Sequence, residues 1–154
     1  GRSGVREHHE RELLAVPVAV AEHLRHVVGR RVHPVERVLE RSTLEALYRD
    51  ASALIYPTLN EGFGYPPLEA MKYGTPVLCS GTTSLHEVCG DAALYFDPYS
   101  VREMKGRFLR YCEDATLRRT LSDRGEEQYQ KMKTRQDEMH EELCDLILGA
   151  SDVE

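Results

Sequence analysis

The chain of 154 residues contains no tryptophan and only three phenylalanines, so its core must be built from aliphatic side chains, tyrosine and methionine. Its longest apolar run, Leu13 to Ala21, is interrupted by Pro17 and is too short to span a membrane. No signal peptide is visible at the start. This length suits one domain with a single core.

Metal-binding and disulfide patterns are also missing. No two of the four cysteines have CxxC spacing, so free thiols of a reducing, cytoplasmic compartment are expected. His23 and His26 stand three residues apart, but no carboxylate or cysteine completes a ligand set with them. We therefore expect no metal and no other cofactor. The cysteines are Cys79, Cys89, Cys112 and Cys144.

Positive charge is scarce in the middle of the chain. The net charge of −6 argues against nucleic acid as a partner. Residues 51–100 hold a single cation, Lys72, against five acidic residues. A phosphate bound there would depend on backbone N–H groups and the helix dipole, with cations supplied from elsewhere.

Short apolar runs alternate with helical patterns from residue 42 onward, which predicts an α/β fold with a Rossmann-like parallel sheet and flanking helices. Ser42 and Glu45 form a capping-box pattern at the start of the first helix. Three helices are expected after Ser100: one to Cys112, one over 116–132 and one over 138–148. Strands are predicted over 51–56, 77–79 and 92–96, and shorter helices over 66–73 and 85–88.

The chain therefore divides into a poorly legible start (1–41), a motif-bearing core (42–98) and C-terminal helices (99–154), all in one domain. Within the start, residues 8–14 and 18–28 are compatible with helix, and residues 31–39 with a short strand. Pro34 would make that strand an edge strand or an irregular one.

The stretch from Tyr56 to Ser80 is the densest in motifs. A polar loop leads to Pro66 and Pro67, which suit the first turn of a helix, and Gly74 suits the position just after its end. The loops 57–64 and 80–84 both follow strands, so they should share the C-terminal edge of the sheet, where ligands of such folds bind.

The individual residues of this stretch permit more than one interpretation. Glu69 could simply complement the dipole in the first turn of the helix. Gly62 and Gly64 could simply serve a turn that needs positive φ. Glu61 has no helix to stabilise, which makes it the better functional candidate. Composition and spacing alone indicate an anion-binding α/β domain and no particular reaction.

The segments EGFGYPPLEAM and GTPV, followed by SLHEV and GDAALYFDP, resemble the E-x7-E region of retaining GT-B glycosyltransferases of group 1, the family-4-like enzymes. The resemblance extends over residues 42–128 and implies the C-terminal, nucleotide-sugar-binding domain of a GT-B fold. The implied activity is transfer of a hexose from a nucleoside diphosphate sugar to a glycan or lipid-linked acceptor. The segments GFGYPPLEAM and LYFDP are similar to the corresponding segments of bacterial polysaccharide mannosyltransferases, which implies GDP-mannose as donor.

The resemblance also implies roles for residues. Glu69 would accept hydrogen bonds from the ribose hydroxyls of the donor. Glu61, the catalytic candidate, would contact hydroxyls of the transferred sugar as a donor-binding group rather than a nucleophile. The backbone of Gly62, Phe63 and Gly64 would approach the sugar and diphosphate, and no metal would be required.

Two departures from the family pattern lead us to expect a fragment. The arginine and lysine that hold the diphosphate in this family have no match here, and neither does the N-terminal acceptor domain. We expect the isolated chain to be inactive and its parent to be a glycosyltransferase, with peripheral membrane association as a further expectation. A degenerate GT-B domain that binds nucleotide or a protein partner without catalysis, and an unrelated sugar-phosphate-binding module, are the alternatives.

Overall fold

The computed structural model describes residues 12–15, 32–34, 40–60 and 62–149. These residues form five strands and five helices in the order ββαβαβαβαα. The strands are β1 (Glu12–Ala15), β2 (Val32–Pro34), β3 (Ala51–Tyr56), β4 (Val77–Ser80) and β5 (Ala93–Phe96). The helices are α1 (Arg41–Asp50), α2 (Tyr65–Lys72), α3 (Thr83–Cys89), α4 (Val101–Glu113) and α5 (Ala115–Gly149).

All described strands pair in parallel, in the order β2-β1-β3-β4-β5. The three strands predicted after residue 50 are confirmed. The short strand predicted around Pro34 is also confirmed, and β2 does lie at one edge of the sheet. That position fits a residue that cannot donate a ladder hydrogen bond.

The helix predicted at residues 8–14 is wrong where the structure describes those residues, because Glu12–Ala15 is strand β1. This strand pairs with β2 on one side and β3 on the other. Pairing on both sides satisfies its backbone, and that tertiary environment outweighs a weak local helical pattern. The rest of that pattern and the helix predicted over 18–28 lie outside the described residues.

Helices pack on both faces of the sheet, as predicted. Successive residues of a strand point to opposite faces. Thus Leu54 packs in one apolar cluster with α1, α2 and α3, whereas Ala53 and Ile55 pack in a second cluster with α4. Helix α5 contributes to both, with Met132 in the first cluster and Leu121 in the second.

The capping box predicted at Ser42 is wrong. Helix α1 begins at Arg41, and Glu40 is the N-cap, without a side-chain capping hydrogen bond. The backbone carbonyl of Glu40 accepts from Leu44 N at 3.0 Å. The Glu45 carboxylate accepts from Arg41 Nε at 3.1 Å across one helical turn instead of reaching back to a cap.

The two helices predicted over 116–132 and 138–148 are one continuous helix of 35 residues, α5. The segment between them, KTRQD, contains neither glycine nor proline, so nothing in it breaks a helix. The apolar periodicity stops there because those side chains face solvent, apart from a half-buried Gln136. No helix in the described part of the chain is both long and apolar enough to cross a membrane.

Candidate functional site

The loops that follow β3 and β4 lie next to each other, as predicted. Ser80 Oγ, at the end of β4, donates to the backbone carbonyl of Tyr56, at the end of β3, at 3.5 Å. Just beyond β4, Gly81 N donates to Phe96 O at 2.9 Å. Three strand ends therefore meet at one edge of the sheet. Glu61, the predicted catalytic residue, lies outside the described residues.

Gly62 and Gly64, in the loop that follows β3, differ in backbone conformation and exposure. Gly64 is buried, has φ of 97° and is the N-cap of α2, so a turn that requires a left-handed residue explains its presence. Gly62 is exposed, its φ is not in that region, and a Cβ added there would meet no atom within 4 Å. Turn geometry therefore accounts for Gly64 and not for Gly62, whose backbone is open to approach.

Phe63 lies between these glycines and is half-buried against the apolar cluster under α2. Its ring centroid is 4.8 Å from that of Tyr65, the first residue of α2, which is 60% exposed. The pair lies at the start of α2. Pro66 and Pro67 follow in the first turn, as predicted, and Gly74 has φ of 67° just beyond the end.

Helix α2 is also held against α5. Gly125 of α5 is buried, and a Cβ there would lie 3.3 Å from Met71 Cγ, tighter than an ordinary contact. Glycine costs helix stability at such a position, but it lets the two helices approach closely. Ser122 Oγ of the same helix donates to Gly74 O at 2.6 Å. Helix α5 thus supports the C-terminal end of the helix that carries Glu69.

Glu69 is the fifth residue of α2, and the first turn of that helix contains no acidic residue. The dipole interpretation of Glu69 is therefore wrong. Its half-buried side chain lies beside Tyr48 of α1. Together they line a cavity of about 30 Å³, enough space for one water molecule. The full lining is Arg41, Leu44, Glu45, Tyr48, Glu69, Lys72 and Tyr73.

Tyr48 has a neighbour that the sequence did not reveal, since its pattern indicated only a helical residue before β3. Burial, and then the nearby negative charge of Glu69, raise the pKa of Tyr48 well above its usual range. Thr75 Oγ1 donates to the backbone carbonyl of Tyr48, and the ring of Tyr73 stacks at 6.4 Å. No local signal links Tyr48 to Glu69, because the two residues meet only when α1 and α2 pack.

The only cation in residues 51–100 does not serve the edge of the sheet. Lys72 Nζ donates to Tyr73 Oη at 3.2 Å and lies 4.9 Å from the centre of that ring. Two acidic residues of the same stretch form ion pairs: Glu87 pairs with Arg135 at 3.7 Å and Asp91 with Arg124 at 3.3 Å. Both partners lie on α5, so these two acids face that helix.

A larger groove of about 490 Å³ lies between the loop that follows β3 and the C-terminal half of α5. The sequence did not predict it, because α5 was expected to be broken. Within the described residues, no group of three histidine, cysteine or acidic side chains could hold a metal ion. The groove is lined by Phe63, Tyr65, Glu87, Met132, Arg135, Gln136, Met139, His140 and Leu143.

Comparison with known proteins identifies this arrangement. A family model described as glycosyl transferases group 1 matches residues 28–128, about two thirds of the chain. The chain belongs to the group 1 glycosyltransferase family. The match begins upstream of the resemblance noted from the motifs and includes β2 and α1.

Curated relatives of this glycosyltransferase chain include mannosyltransferases. It is 45% identical over 82 residues to O-antigen chain mannosyltransferase B of Escherichia coli, covering 53% of this chain and 22% of that protein. It is 51% identical over 55 residues to O-antigen chain mannosyltransferase RfbU of Salmonella typhimurium, covering 36% and 16%. The matched segments thus span less than a quarter of these relatives.

Solved structures share the fold. Sucrose-phosphate synthase from Thermosynechococcus elongatus superimposes with a TM-score of 0.66 at 25% identity, over 83% of this chain and 34% of that one. The C-terminal domain of a group 1 glycosyltransferase from Francisella tularensis gives 0.58 at 18% identity, over 74% and 62%. The predicted fold class, the C-terminal domain of a GT-B glycosyltransferase, is therefore confirmed.

Proposed function

We propose that this chain is the donor-binding part of a retaining hexosyltransferase that uses a nucleoside diphosphate sugar. One observation carries the proposal: α2 begins at the sheet edge where two loops meet, and the half-buried Glu69 lies one turn further along it. A half-buried carboxylate suits recognition of vicinal hydroxyls, because each of its oxygens can accept more than one hydrogen bond.

In this proposal Glu69 binds the ribose hydroxyls and Glu61 binds the transferred sugar, as the catalytic candidate. The open backbone at Gly62 and the adjoining Phe63 and Gly64 lie alongside the sugar and diphosphate. No metal takes part. The positive charge that the diphosphate requires comes from outside residues 51–100, because Lys72 is engaged with Tyr73.

The curated relatives support mannose as the sugar and a bacterial polysaccharide or lipid-linked glycan as the acceptor. We propose that catalysis requires an acceptor domain in addition to these residues, and that the isolated chain is inactive. We place the reaction in the cytoplasm, where nucleoside diphosphate sugars are made, with peripheral attachment of the complete enzyme to the membrane.

The test is made in the full-length protein with Glu69→Gln, Glu61→Gln and a control, Glu87→Gln, which changes an exposed acid paired with α5. Hydrogen bonds to a charged group contribute about 1.5–3 kcal/mol, so Glu69→Gln should weaken nucleoside diphosphate binding by roughly 10- to 150-fold. Glu61→Gln should raise KM for the sugar donor and lower kcat, with little effect on the nucleotide alone.

Binding is measured by calorimetry with GDP, UDP and ADP, and transfer is measured with the matching mannose and glucose donors. Unchanged transfer in a Glu61→Gln, Glu69→Gln double variant would exclude the assigned site. Nucleotide binding without any transfer in the wild-type full-length protein would favour the alternative, a degenerate domain that binds its ligand and does not catalyse.

A further inference from the structure

Where α5 extends past the body of the domain, it presents an apolar surface. Helix α5 packs on the body through Leu121 and Met132, which are buried. Further along the same side of the helix, Met139, Leu143 and Leu146 are between 56% and 74% exposed. Single exposed apolar residues are common on proteins, but a contiguous row of them is typical of an interface.

These residues have the spacing of a coiled-coil seam. The row, or α5 seam, comprises Met132, Gln136, Met139, Leu143 and Leu146, which are separated alternately by four and three residues. That alternation is the heptad spacing with which one helix packs along another. At about 1.5 Å of rise per residue, the seam extends for roughly 21 Å. Its spacing and length therefore fit a second helix.

The charges along this part of α5 indicate which helix that is. Residues 131–135 carry three cations and no acid, whereas residues 137–145 carry five acids and neither lysine nor arginine. Two copies of α5 that run antiparallel place the basic segment of each beside the acidic segment of the other. Parallel copies would bring like charges together, and five acids are unfavourable at an anionic membrane surface. An antiparallel second copy therefore complements both the apolar seam and its charges.

The seam also sets the register of such a pair. When the two seams share their layers, Gln136 of each copy lies opposite Met139 of the other. Arg135 and Glu142, which flank the seam, then lie beside Glu142 and Arg135 of the second copy, as residues that flank a coiled-coil seam do. Within one chain, Arg135 pairs only with the exposed Glu87, at 3.7 Å. An exposed pair of that kind contributes little, so Arg135 can exchange it for a new partner.

We propose that α5 is a dimerisation helix, whose seam pairs antiparallel with the seam of a second copy of this chain. The interface is isologous, because the same surface serves both copies. In this register Leu143 of one copy lies opposite Met132 of the other, in the groove that Phe63 and Tyr65 also line. The end of each helix thus fills the groove of its partner. The inference goes beyond the donor-binding role and does not depend on it.

The experiment measures the mass of the full-length protein by analytical ultracentrifugation, from nanomolar to high micromolar concentration. Leu143→Glu places a charge in the seam, and Leu148→Glu is the matched control. Leu148 is also exposed on α5, but at 3.6 residues per turn it falls on the side of the helix opposite the seam. Circular dichroism checks that both variants keep their helix content.

The unmodified protein should be a dimer. Leu143→Glu should weaken dimerisation by at least about 100-fold, because each dimer loses two buried leucines. Leu148→Glu should leave the dimer unchanged.

Charge reversal tests the antiparallel register. Arg135→Glu and Glu142→Arg should each weaken dimerisation by roughly 5- to 30-fold, because each change turns two attractive pairs into repulsive ones. The double variant with both changes should restore the dimer, since it forms the same two pairs with their charges exchanged. The ion pair between Arg135 and Glu87 is not restored in that variant, so its loss cannot account for such a rescue.

A full-length protein that stays monomeric at every concentration would overturn the proposal. If Leu143→Glu then lowers its melting temperature and Leu148→Glu does not, another part of the same polypeptide covers the seam. A dimer that Leu143→Glu leaves intact, or that both leucine variants weaken equally, has its interface elsewhere, which also overturns the proposal. Failure of the double charge variant to restore the dimer would refute the antiparallel pairing.

Discussion

Replacing Gly74 by alanine tests whether a left-handed backbone ends helix α2. Gly74 has φ of 67°, and its N–H donates to Met71 O at 3.0 Å while its carbonyl accepts from Ser122. A Cβ here would collide with the Glu126 carboxylate and lie 3.2 Å from Ser122 Oγ. The exposed Glu126 side chain can move away, whereas the backbone conformation cannot change without loss of these hydrogen bonds.

The expected cost follows from two opposing effects. A side chain in the left-handed region costs about 1–2 kcal/mol. Alanine also restricts the unfolded chain, which favours the folded state by about 0.4–1 kcal/mol. The crowding at Ser122 adds to the cost, so Gly74→Ala should lower the free energy of unfolding by about 1 kcal/mol. For a chain of this size the melting temperature should fall by roughly 2–4 °C.

Gly106→Ala is the matched control, because Gly106 lies within α4, is exposed, and has open space where its Cβ would be. The same substitution should there raise the free energy of unfolding by about 0.5–1 kcal/mol. Urea titration followed by circular dichroism at 222 nm measures both variants. If both substitutions change the free energy of unfolding in the same direction, the argument that the positive φ at Gly74 makes alanine destabilising there is refuted.

Two further predictions concern the core and the response to pH. Phe108 is 1% exposed in the cluster under α4, so Phe108→Ala should lower the free energy of unfolding by about 3–5 kcal/mol. The control, Val101→Ala at an exposed position of the same helix, should change the free energy of unfolding by less than about 0.5 kcal/mol. Both variants are measured by urea titration, and similar effects of the two substitutions would contradict the assigned core. Burial raises the pKa of Tyr48 and Tyr95 above that of an unfolded tyrosine. Above about pH 10 the unfolded chain loses these phenolic protons while the folded chain keeps them, so the stabilisation from the buried neutral side chains is present below about pH 10 and is lost as pH rises further. Stability measured from pH 8 to 11 should therefore fall at the alkaline end, and less steeply in Tyr95→Phe; an equal slope would show that Tyr95 is not responsible.

Much of the fold could be predicted from local patterns. Strand β3 is a short apolar run that ends before a proline, and α2 has two prolines in its first turn and a glycine just beyond its C-cap. In each case the residues that define the boundary are neighbours in sequence, so their backbone preferences suffice. Strand β1 could not be predicted this way, because pairing with β2 and β3 determines its conformation.

The long helix α5 shows a different limit. Apolar periodicity reports which residues are buried, and it disappears where a helix extends past the body that it packs on. The chain stays helical through KTRQD because no residue there opposes it. The groove beside Phe63 follows from that extension, and no sequence pattern indicated it.

The family, the α/β class, and the loop and helix that carry the candidate site could be inferred from residue types at fixed short spacings. The surroundings of Glu69 depend instead on tertiary packing. Its neighbour Tyr48 lies on another helix, and the two residues line one cavity because α1 and α2 pack side by side on the same face of the sheet. Proximity between residues on separate helices depends on how those helices pack, and sequence spacing does not encode that.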